Sequence, residues 1–239
     1  MSEEFDFEQY WLNKFSNNLH KLAGQDIKEE ITRGSENFSD ATSKKEIVSW
    51  SQKAIDKLES LVDKEKCIDI MTKCACQYPK KDLQDIKKRY EVTRDIDLVH
   101  DMLQEKFELF LKDDLKLNNE DFNFVVNKGW GLAGIKQDNK IIATKIPKSG
   151  YFIEYMKESD PEKKKVYYCH CPRVRDALKT PKARLSPTYC YCGAGFYKGI
   201  WEEILQKPVR VEVLETVLNG GDLCKIAIYL PELKNSVPK

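Results

Sequence analysis

Four cysteines in one short stretch carry the clearest chemistry in this sequence. Cys169 and Cys171 form one Cys-x-Cys pair, Cys190 and Cys192 form a second, and eighteen residues separate them. If each pair lies in extended backbone, both sulfurs of a pair point to one side. Two such pairs brought together offer four thiolates, the donor set of a tetrahedral zinc ion. The spacing is that of a zinc ribbon with each knuckle one residue short. A third pair, Cys74 and Cys76, precedes Pro79 and would be free to close such a site from another part of the chain. The expected metal ligands are therefore Cys169, Cys171, Cys190 and Cys192, joined by Cys74 and Cys76. Zinc is the expected occupant, and an iron–sulfur cluster stays open as the alternative.

Other residues near the pairs have two readings each. His170 is out of phase with its flanking cysteines and is expected on the opposite face. The insert between the pairs carries Arg173, Arg175, Lys179, Lys182 and Arg184. It reads either as a solvated basic face or as an anion site beside the sulfurs, helped by the amides of a helix starting at Pro172. Tyr167, Tyr168, Tyr189, Tyr191 and Tyr197 suit the wall of a small-molecule pocket or an aromatic core. Cys67 and Cys224 fall in phase with apolar neighbours and read as core residues.

The elements that must position these groups change character near the middle of the chain. Residues 7–23 place Trp11, Phe15, Leu19 and Leu22 at helical spacing, with Gly24 as the stop. Ser43 and Glu46 make a capping box before a stripe of Ile47, Trp50, Ala54, Leu58 and Leu61. Helical spacing continues over 64–78 and again over 94–112. His20 and His100 lie beside these stripes and read as surface and edge residues. After about residue 120, Phe122, Phe124 and Val126 alternate instead. Residues 141–145 read as a strand, 157–165 as a solvated loop, and 166–170 as a strand. Pro172 opens a short helix, and 193–206 is helical. The chain then closes in a hairpin, Val209–Val213 against Cys224–Leu230, around Asn219–Asp222. The fold class is α+β: a helical region over 1–120, then an α+β ligand-binding module over 121–239 with an antiparallel sheet.

Composition bounds the partners. The 239 residues carry 40 basic and 39 acidic side chains, so general electrostatic binding to nucleic acid or membrane is not expected. The charge is uneven, with 20 basic and 26 acidic groups over 1–120 against 20 and 13 over 121–239. No apolar run is long enough to cross a bilayer and no signal segment opens the chain, so a cytoplasmic protein with eight reduced cysteines is expected. The expected partner is a small molecule, and a homodimer is left open.

The ending, from Tyr189 to Pro231, resembles the closing portion of the 4-vinyl-reductase domain family over about 166–230. The likeness rests on Gly221, Asp222 and Cys224, with Glu215 as the acid. It implies a small-molecule or hydrocarbon-binding module, in some members with zinc held by cysteines and a glutamate. The chain departs from that pattern at Thr216, where such members have a cysteine, so the Cys-x-Cys pairs would have to supply the missing sulfurs. The same ending is similar to that of the aminothiazoline-carboxylate hydrolases, which implies the alternative of a cysteine-dependent hydrolase or thiol-redox enzyme with His170 as base. The whole chain resembles uncharacterised cysteine-rich proteins of anaerobic microbes. A sensory or carrier module that binds a small ligand beside a thiolate metal site is the leading expectation.

Overall fold

Side-chain caps start the helices of the first half where the sequence places them. In the computed structural model, which describes residues 5–231, Asp6 accepts a hydrogen bond from the Gln9 amide at 2.8 Å and opens α1, Phe7–Ala23. Gly24, at φ +95°, ends it in a conformation that favours glycine. A short α2, Gln25–Thr32, returns beside α1. Ser43 accepts from the Glu46 amide and opens α3, Lys44–Leu61. Ile47, Trp50, Ala54 and Leu58 are buried as their spacing predicts, whereas Leu61, on the last turn, is exposed. Three more helices follow: α4, Lys64–Lys73; α5, Gln84–Thr93; and α6, Ile96–Leu109, which runs into a π-helical turn over Phe110–Asp114.

The second half departs from the sequence reading in two places, and caps explain both. Residues 119–127 form a helix, α7 (Asn119–Asn127), although Phe122, Phe124 and Val126 alternate. The Asn118 side chain accepts from the Asp121 amide at 2.9 Å and starts the helix. Val125, not the alternating trio, is its buried residue. After α8, Phe152–Lys157, the stretch expected to be loop and then strand is instead α9, Pro161–Tyr168. Asp160 accepts from the Glu162 and Lys163 amides, and Pro161 occupies the first helical position, where its missing N–H costs nothing. Cys169–Cys171 is the three-residue connection from α9 to α10, Pro172–Lys179. The last helix, α11, spans Tyr191–Leu205 and starts two residues before the expected point.

The sheet is antiparallel throughout and has the order β1-β2-β4-β3, with β1 Ile135–Gln137, β2 Lys140–Thr144, β3 Arg210–Glu215 and β4 Lys225–Tyr229. The class is therefore α+β, as expected. Ala143, Ile226 and Val213 stand opposite one another across three strands, as do Ile141, Ile228 and Val211. Residues directly opposite in an antiparallel pair share a face, so these rows form the apolar face that α11 covers. The far side of α11 packs on α4 and α5, and α10 packs on α3. Gly195 makes the α11–α4 approach close, because a Cβ there would lie 1.9 Å from the Thr72 carbonyl oxygen.

Buried charge also fastens the first helix to the second half. Arg173 on α10 and Glu8 on α1 are 1% and 2% exposed and form an ion pair, with Arg173 Nε donating to Glu8 Oε2 at 2.9 Å. The guanidinium lies over Trp11, 4.0 Å from the ring centroid, and donates to the Tyr189 hydroxyl. One residue of the expected basic face is thus a core residue.

Candidate functional site

Between the sheet, the start of α11 and the α9–α10 connection lies a cavity of about 460 Å³ with mostly apolar walls. Six of the eight cysteines line it: Cys76, Cys169, Cys171, Cys190, Cys192 and Cys224. Each wall has a structural origin. Cys169 (ψ 129°) and Cys171 (ψ 121°) are extended residues that end α9 and start α10, so a connection between helices, not a strand, places the pair on the cavity wall. Cys190 closes a 3-10 turn, Pro187–Cys190, capped by the Ser186 hydroxyl, and Cys192 lies in the first turn of α11. Cys224 immediately precedes β4 and is partly exposed to the cavity, so it is not the fully buried strand cysteine its alternation suggested. Its amide donates to the Tyr168 hydroxyl at 2.9 Å, and that hydroxyl donates to the Lys145 carbonyl at 2.6 Å, which ties the end of β2 to the start of β4.

The third pair is divided. Cys76 is exposed and reaches the cavity, whereas Cys74 is buried, outside the cavity lining, with its thiol donating to the Ile70 carbonyl at 3.2 Å. Cys67 is a core residue, as its spacing predicts, donating to the Val62 carbonyl at 3.3 Å.

Burial dominates the thiol electrostatics. It pushes Cys190 up to about 12, with Cys224 and Cys171 adding to the shift. Cys169 is driven well above the usual thiol range by burial and then by Cys171, Cys224 and Cys190. Cys171 and Cys192 are raised for the same first reason. These four thiols are all raised above their ordinary range, and Lys145 is the cation that opposes the shifts of Cys169, Cys171 and Cys190. Among the described residues, no group of three or more His, Cys, Asp or Glu side chains is gathered in a metal-holding arrangement.

Thr216, where the sequence departs from the reductase-like pattern, has a defined place. Its buried hydroxyl accepts from the Leu218 amide and lies 2.9 Å from Cys190 Sγ, so its own proton is free to point at the sulfur. Glu215 lines the cavity but is held by Lys225 at 2.6 Å, which keeps its carboxyl below the ordinary range.

His170 also lines the cavity, against the expectation that it faces away from its neighbouring cysteines. Its Nε2 sits 2.8 Å from the Ile146 carbonyl, which fixes that nitrogen as the donor and leaves Nδ1 as the acceptor. Burial, then Lys145, hold its pKa down to about 4. Lys145 carried no motif that would mark it; only the pairing of β2 with β4 brings it beside the cysteines.

Residues 144–235, which hold the cavity cysteines except Cys76, match the model of a family of unknown function (DUF6144). No curated protein and no solved structure matches the chain. No helix among the described residues is long and apolar enough to cross a membrane.

Proposed function

We propose that the protein is a small-molecule-binding module that encloses its ligand in the cavity beneath the sheet, with the cavity thiols seating a soft metal ion beside it. The observation that carries this reading is the convergence of six cysteines on one apolar cavity. An apolar ligand alone needs no sulfur. Neutral thiols crowded together at a buried site are the protonated form of a soft-metal donor set, because an ion would replace their protons. Cys169, Cys171, Cys190, Cys192 and Cys224 all line this one cavity. Taking up an ion requires these side chains to rotate toward one another. Zinc is the first candidate, an iron–sulfur cluster the second. The role is that of a sensor or carrier, in line with the resemblance to the 4-vinyl-reductase domains.

Nucleophilic catalysis fits less well. A cysteine nucleophile needs a depressed thiol, and burial raises all four thiols of the two C-terminal pairs.

Metal analysis of anaerobically purified protein tests the metal seat. The expected content is about one equivalent of zinc or iron, lost in Cys169→Ser and Cys190→Ser variants that still fold. Less than about a tenth of an equivalent, unchanged by those variants, would overturn it.

A further inference from the structure

The sheet has two edges, and they are finished differently. β1 is three residues long, which leaves little backbone for another strand to pair with. β3, at the other edge, is six residues long. β4 pairs with one side of it, and among the described residues no hydrogen bond reaches the backbone of residues 210–213 from the other side. The open stretch has definite ends. Pro208, which has no N–H to give a ladder, precedes it. The register shift between Val213 and Glu215 closes it. Between these ends lie residues 209–213, with Val211 at the midpoint.

This stretch, Val-Arg-Val-Glu-Val, is complementary to itself. Laid antiparallel against a copy about a two-fold axis at Val211, it sets Val209 opposite the copy's Val213, Arg210 opposite the copy's Glu212, and Val211 opposite Val211. Residues directly opposite share a face. The valines therefore continue the apolar face that α11 covers, and on the outer face each arginine meets a glutamate, once on either side of the axis. Only this register does so. Moving the axis one residue to either side sets Arg210 against Arg210 or Glu212 against Glu212. The charged side chains are also held in place at the edge. The Arg210 guanidinium lies 3.5 Å from the centroid of the Tyr229 ring, and the Tyr229 hydroxyl donates to Glu212 Oε2 at 2.7 Å. Glu212 Oε1 accepts no hydrogen bond among the described residues, and both side chains are accessible, Arg210 at 65% and Glu212 at 45%.

We propose that two copies of this chain join edge to edge through β3, antiparallel about a two-fold axis at Val211, so that their two four-stranded sheets become one sheet of eight strands. The backbone groups of the open edge supply the ladder, and the two Arg210–Glu212 pairs fix its register. The interface is independent of what the cavity holds.

Sedimentation velocity of the full chain over the micromolar range, in a reducing buffer that excludes intermolecular disulfides, tests the interface by charge exchange. The wild type is expected to dimerise. Arg210→Glu sets glutamate against glutamate on both sides of the axis, and Glu212→Arg sets arginine against arginine. Each is expected to raise the dimer dissociation constant by about tenfold or more. The double variant, Arg210→Glu with Glu212→Arg, restores opposite charges across the axis and is expected to return to wild-type association. An equimolar mixture of the two single variants is expected to form mixed dimers, because both glutamates of one chain then face both arginines of the other. Thermal unfolding checks that each variant is folded; both positions are exposed, and either single variant suffices if the other is not. A wild type that stays monomeric over the whole range would overturn the interface. So would a dimer that the single variants leave unchanged, or a double variant and a mixture no stronger than the single variants.

Discussion

Glu8 and Arg173 illustrate how a single side chain can change role between sequence and structure. The sequence presents Arg173 as one of five basic residues in an insert, and nothing local sets it apart. A charge removed from water must be paired, and its partner lies 165 positions away, at the start of α1. Removing one member strands the other. Glu8→Ala is expected to lose about 3–5 kcal/mol in urea unfolding, while the double variant Glu8→Met with Arg173→Met recovers most of it. A loss below about 1 kcal/mol in the single variant would show that the pair does not fasten α1 to α10. The same limit on local reading applies to His170. Alternation assigns it to the far face only while the segment is a strand. In a connection between helices, where both cysteines are extended, the cavity takes the histidine as well.

At the scale of elements, what was legible was whatever carried its own signal. Helices with a cap and an apolar stripe, α1 and α3, and the closing hairpin with its alternating valines and isoleucines follow directly from the sequence. α9 did not, because Lys163, Lys164 and Lys165 give it no apolar stripe and its signal was the cap pair Asp160–Pro161. α7 was masked by an accidental alternation. The close contact of α11 with α4 depends on Gly195, and sequence alone cannot tell such a glycine from a flexible one. Gly195→Ala should push the two helices apart and cost about 1–3 kcal/mol, read as a lower urea midpoint. An unchanged midpoint would mean that the helices separate freely. Glu203 on α11 is held by Lys80 and Lys87, each at 3.0 Å, and the hydrogen bond from Lys80, then that from Lys87, lowers its carboxyl pKa. A depressed carboxyl contributes stability above the unfolded pKa, and the contribution fades as pH falls through the folded value. Glu203→Gln should therefore be less stable than wild type at pH 7 by about 1 kcal/mol or less, the salt-bridge value for a partly screened group. The gap should close once the pH lies below that folded value. A gap that persists there would assign the effect to packing instead.

On the scale of the whole molecule, the helices of the first half and the sheet of the second share one hydrophobic core. The cavity opens where they meet, with Trp11 from α1 and Phe107 from α6 on one side and Val213 and Ile226 from the sheet on the other. The Cys-x-Cys spacing singled out five of the six cavity cysteines together with Cys74, which lies outside the cavity, and it pointed neither to Cys224 nor to the cavity's volume nor to Lys145, because these arise from packing between distant segments. The account's central claim is that this space holds a ligand. Titration of N-phenyl-1-naphthylamine into the wild type and into Val213→Trp tests it most directly, since the larger side chain fills space from the sheet face while every cysteine and charged residue of the wall is kept. The prediction is saturable binding to the wild type near one equivalent and a loss of about tenfold or more, some 1.4 kcal/mol, in a folded variant. Equal binding to both proteins would contradict it.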